Sequence, residues 1–132
     1  MKVWLVTVGE PLPTDQKGIR LLRTGILAEQ LSEKNHEVVW WNSTFDHSKK
    51  EHRFTHNKDI QYKKNFLIKV LHGCGYNSSI SLKRIWDHIL VAYQFRKLSK
   101  TMPKPDVILC SLPTLELSQV AVTYGKKNRV PV

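Results

Sequence analysis

The chain is short of acid. Its 132 residues hold 11 aspartates and glutamates against 21 lysines and arginines, a formal net charge of +10 with histidines neutral. Cysteine is scarcer still. Cys74 and Cys110 stand in no metal-ligand spacing, so no thiolate zinc site is expected, and two cysteines allow one disulfide that nothing in the sequence supports. Two free thiols in a reduced, cytoplasmic protein is the simplest reading. No apolar run is long enough to cross a bilayer. The N-terminal run, residues 3–8, stops at Gly-Glu-Pro instead of a small-residue cleavage site, so it does not read as a signal peptide. Internal repeats and low-complexity tracts are also missing. With 41% hydrophobic and 24% charged residues, the composition is that of one packed globular domain, residues 1–132.

The basic excess is uneven. Between His47 and His72 stand seven cations, Arg53 and six lysines, against Glu51 and Asp59. Such a surface suits phosphates, anionic lipid headgroups or nucleic acid, and composition does not choose among them. Phe54, Tyr62 and Phe66 are interleaved with these lysines, an arrangement that fits a lipid interface. No RNA- or DNA-binding signature accompanies them, so nucleic acid is not expected as a partner.

Hydrophobic patterning predicts an α/β fold. Residues 2–8, 37–42, 66–71 and 106–111 are short apolar or β-branched runs, read as buried strands. A loop over 9–17 leads into a helix over 19–34, with Leu27, Ala28 and Leu31 on its inner stripe beside Leu21 and Thr24. Residues 43–64 read as irregular. Ser81 is the predicted N-cap of a long helix to about residue 100, with Leu82, Ile85, Trp86, Ile89 and Tyr93 on one side. Pro113 suits the first position of a third helix, and Leu117, Val120, Ala121 and Tyr124 follow at helical spacing. Val130-Pro-Val132 reads as the opening of a further strand, which suggests an N-terminal piece of a longer protein. The order implies a Rossmann-like parallel sheet flanked by helices, with right-handed crossovers.

In such a sheet, ligands bind beyond the carboxyl ends of the strands, where strand order reverses. That rule places Gly9 and Gly18 of the first loop beside a helix start carrying Arg20, Arg23 and Thr24. The arginines are out of character there. A helix N-terminus carries partial positive charge, and cations beside it cost about a few tenths of a kcal/mol. Either they are solvated at that cost, or an anion sits among backbone N–H groups and guanidinium forks. Neither a dinucleotide fingerprint nor a phosphate loop is present. Ser111, Thr114 and Glu116 follow the fourth strand and face the same crevice, although Thr114 and Glu116 also make an ordinary helix start. His47, just past the second strand, can hydrogen-bond a ligand there. His47, His52 and His56 match no zinc spacing, so no metal is expected. No nucleophile–base pair can be assembled, and Cys110 reads as core.

The stretch GEPLPTD…GIRLLRTGILAEQLSEKNHEVVWWNSTFDHSKKEHR resembles the amino-terminal domain of family 4-type glycosyltransferases with the GT-B fold. It is most similar to bacterial members that build surface polysaccharides. LHGCGYNSSISLKRIWDH and PDVILCSLPTLELSQVAVTYGKKNRVPV fit the same type, so the resemblance spans the chain. It implies the acceptor-binding half of a two-domain, retaining hexosyl- or N-acetylhexosaminyltransferase that uses no cofactor or catalytic metal. The nucleotide-sugar donor would bind mainly to a second domain. The acceptor would be a saccharide, often on a polyprenyl diphosphate at the inner membrane face, and these residues alone would transfer no sugar. The resemblance matches the 9–18 loop, Arg20, Arg23 and Thr24, the segment containing Ser43, Thr44, Asp46 and His47, and residues 111–116. It departs where the double glycine of many relatives is replaced by Glu-Pro-Leu-Pro. The competing expectation is a non-catalytic Rossmann domain that binds anions or an anionic membrane surface.

Overall fold

The structure, a computed structural model, describes residues 1–112 and 114–132. In chain order the elements are β1 (Lys2–Val6), α1 (Arg23–Glu33), β2 (Glu37–Ser43), β3 (Phe45–Asp46), β4 (Glu51–His52), β5 (Lys58–Lys63), β6 (Phe66–Leu71), α2 (Leu82–Leu98), β7 (Val107–Cys110) and α3 (Leu115–Asn128). Five strands form the main sheet in the order β5-β6-β2-β1-β7, while β3 and β4 make a small antiparallel pair. β1 pairs in parallel with β2 and β7, and β2 with β6. The fold is therefore α/β and Rossmann-like. Strand order reverses at β1, whose two parallel neighbours are reached by crossovers in opposite directions.

Each central strand is apolar on both faces because helices cover both. On one side Val3, Leu5, Trp40, Phe66 and Ile68 pack against Ala28 of α1. On the other, Trp4, Trp41, Val91, Phe95, Leu117 and Ala121 join the sheet to α2 and α3. Trp40 and Trp41 are both fully buried, on opposite sheet faces, as strand alternation requires.

Several expectations need correction. α1 starts at Arg23, so Arg20 lies in the loop before it. Gly18 takes a left-handed φ of 71°, and the apolar residues after it continue the helical spacing without continuing the helix. Leu27 is exposed, and the inward face of α1 is Thr24, Gly25, Ala28 and Ser32. The sheet is mixed, because residues 58–63, read as irregular, form an antiparallel edge strand on β6. Phe66 is fully buried, and Phe54 and Tyr62 pack against the α1-side core, so these aromatics do not make a lipid-facing surface. Arg53 and Lys69 are internal as well, each held by acid. Residues 130–132 form no assigned strand, although Pro131 O accepts the Ile108 N–H at 2.9 Å. Pro113 lies outside the described residues.

The largest departure is α2. Ser81 caps it as expected, accepting the Arg84 N–H at 3.2 Å. Its inward residues are Asp87, Val91, Ala92 and Phe95. The sequence-predicted apolar side points to solvent, with Leu82 85% and Trp86 57% exposed. Asp87 fixes that rotation. Its Oδ1 accepts the Gly75 N–H at 2.7 Å, and a Cβ at Gly73 would collide with the same carboxylate. The helix is thus pinned, polar group first, to the loop after β6.

Candidate functional site

The loops after β1, β2, β6 and β7 leave the sheet at one end and enclose a pocket of about 500 Å³. The first turns at Gly9, whose φ of 87° favours glycine, and is then anchored by the fully buried Leu12. Asp15 ties it down. The Arg53 guanidinium donates to both Asp15 oxygens, at 2.6 and 2.9 Å, and to the carbonyls of Ser43 and Phe45. This fork fastens the post-β1 loop to the segment after β2.

Glu10 sits where an external anion was expected. Its Oε2 accepts the Thr24 N–H at 3.0 Å and its Oε1 the Thr24 hydroxyl at 2.8 Å. Leu22, the N-cap, supplies no side-chain bond, so this distant carboxylate satisfies the helix start and offsets Arg23 at its first position. The α1 N-terminus is already occupied by the chain's own anion. The α3 N-terminus is less complete. Thr114, its N-cap, is 3% exposed, borders the pocket, and its Oγ1 has no partner among the described residues.

Opposite them, His47 Nδ1 lies 2.8 Å from the Tyr76 hydroxyl and 3.3 Å from the Lys50 ammonium. An ammonium only donates, so Nδ1 is the acceptor and the neutral ring carries its proton on Nε2. Burial, then Lys50 and Arg84, hold the His47 pKa below its ordinary 6.5. His88 is also lowered, by burial against the raising effect of Glu116, which lies 3.6 Å away. Arg84 stacks toward Tyr76 and donates to Ser79 O at 2.6 Å.

The pocket wall therefore includes Gly9, Arg20, Arg23, His47, Ser111 and Thr114, six residues singled out from the sequence. Gly18, Thr24 and Glu116 do not line it. Gly18 shapes the loop, Thr24 is spent on Glu10, and Glu116 is reached through His88. Glu10, Tyr76, Arg84, Asp87 and His88 line it too and were not singled out. The signal for four of them was topological: the loop after the third parallel strand ends at the same edge as the others and feeds α2. Among the described residues, no group of three or more His, Cys, Asp and Glu is placed to hold a metal ion. Among those residues no helix is long and apolar enough to cross a membrane.

The histidines set a pH dependence. A folded-state pKa below 6.5 means fewer protons bound folded than unfolded, so stability is full above 6.5 and falls as pH drops through the lowered folded values of His47, His72 and His88. The melting temperature is expected to be lower near pH 5.5 than near pH 7.5, and His88→Gln to shrink the difference. Thermal unfolding at the two pH values checks this. An unchanged difference in the variant would remove His88 from the account.

No protein-family model matches the chain, and no curated protein is significantly similar to it.

Proposed function

We propose that this chain is the acceptor-side half of a GT-B-type retaining glycosyltransferase, binding a saccharide acceptor whose anionic group is a phosphate or diphosphate. The observation that carries the reading is one pocket at the strand tips holding Arg20, Arg23 and Arg84 alongside the hydrogen-bonding groups Glu10, His47 and Thr114. Arginine forks recognise phosphoryl oxygens, and a carboxylate with neutral donors recognises hydroxyl groups. A sugar linked to a diphosphate presents both. The α/β fold with its switch point at β1 supports the placement. Donor binding and chemistry then belong to a second α/β domain, and the 132 residues alone transfer no sugar.

A non-catalytic anion-binding domain is the second reading, favoured by the same arginines. Calorimetry separates the two. On the transferase reading, a short-chain polyprenyl diphosphate saccharide binds about tenfold or more tighter than inorganic pyrophosphate, and Arg20→Gln weakens both by about tenfold. Arg20 is exposed and has no partner among the described residues, so its removal leaves the fold intact. Equal affinity for the two ligands would favour the second reading. Sugar transfer by the isolated chain would overturn the division of labour.

A further inference from the structure

We propose that the outward face of α2 docks on an anionic lipid surface. Ile80, Leu82, Ile85, Trp86, Ile89 and Tyr93 are each more than 40% exposed. At 100° per residue they fall on one stripe of the helix, with Ile80 just before its cap. Contiguous apolar area of this kind marks an interaction surface, since single exposed hydrophobics are ordinary but a continuous row is not.

The same stripe names its partner. One turn past Tyr93 it changes from apolar to basic: Arg96 and Lys97 continue the row that Leu82 begins, and the exposed Lys100 follows in the 3-10 turn Ser99–Thr101 that closes the helix. Beside it runs a groove of about 910 Å³ between α2 and α3, which shares Ile89 and Tyr93 with the stripe. Lys104 and Lys127 join Arg96 and Lys100 on that groove, and Glu116 is its acid among the described residues, already beside His88. Cations at the border of apolar and aromatic side chains suit an interface where acyl chains meet anionic headgroups. The rings sit at headgroup depth and the long basic stems reach outward. A second copy of this chain would bring like charge against like, with +10 on each. An anionic partner is therefore favoured over self-association.

The inference stands apart from the sugar-transfer reading, because the stripe and the pocket use different sides of α2. Arg84 and His88 face the pocket while Trp86 and Ile89 face out.

Tryptophan fluorescence gives a direct test, since Trp4, Trp40 and Trp41 are fully buried and Trp86 is exposed. The 132-residue chain is mixed with phosphatidylcholine vesicles, with and without roughly a third phosphatidylglycerol, at physiological salt. The expected result is co-sedimentation and a blue-shifted emission with the anionic vesicles alone. Trp86→Phe keeps binding and loses the shift. Ile85→Ser, Trp86→Ser and Ile89→Ser combined lower the bound fraction about tenfold, and so do Arg96→Glu, Lys97→Glu and Lys100→Glu combined. A matched reversal at Lys17, Lys34 and Lys64, exposed residues outside α2 and α3, costs about twofold or less. Unchanged melting temperatures show that the variants remain folded. Three outcomes overturn the proposal: no binding to anionic vesicles, equal losses from the two charge reversals, or a dimer in sedimentation that the serine variant dissolves.

Discussion

Replacing Arg53 by Met is expected to lower the unfolding free energy by about 3–5 kcal/mol. The Arg53 and Asp15 side chains are 9% and 7% exposed. Truncating the cation leaves the Asp15 carboxylate desolvated and unpaired, which costs far more than the pair contributes net when intact. Three backbone carbonyls, those of Glu10, Ser43 and Phe45, lose a donor as well. Arg53→Lys should recover only part of the loss, because an ammonium cannot reproduce a fork that spans both Asp15 oxygens and the Ser43 carbonyl. The check is the urea midpoint at constant slope. A loss under about 1 kcal/mol would mean that water reaches Asp15 and that the loop is not held by this fork. Because the loop carries Glu10, the same substitution should also loosen the pocket.

Trp41→Ala and Trp86→Ala should differ by several kcal/mol. Trp41 is fully buried, with ring centroids 5.2 Å from Trp4 and 4.9 Å from Phe95, and Lys69 lies over its face. Its removal opens a cavity between the sheet and α2, at a cost of about 3–5 kcal/mol. Trp86 touches mainly solvent, so its truncation should change stability by about 0.5 kcal/mol or less. The indole N–H groups of Trp4 and Trp41 have no partner among the described residues. Apolar area and aromatic packing, not polar pairing, therefore hold this side together. Denaturation of both variants measures the difference, and similar losses would mean that Trp86 is covered.

The central strands were legible because a buried parallel strand must be apolar on both faces, and Lys2–Val6 and Phe66–Leu71 are mostly that. Lys58–Lys63 was not, because an edge strand needs no such run. Its lysines also discourage pairing with other chains, which makes it look like a loop. α2 was found as a helix but its rotation was not, since it carries two apolar stripes and periodicity alone does not rank them. A polar residue, Asp87, decided the matter through one hydrogen bond to Gly75. Long-range partners of this kind leave no local trace. Glu10 is the same case at the site: its role as a cap depends on Thr24, 14 residues away.

Glu10 also imposes a sorting rule on whatever enters. Multiply charged anions are turned away from the helix N–H groups that Glu10 covers and drawn to the guanidinium groups of Arg20 and Arg84, whereas uncharged polyols gain a proton acceptor beside Glu10. The cavity therefore has a fixed polarity, and a bound molecule with one ionised end and one hydroxylated end has a single favoured direction of entry.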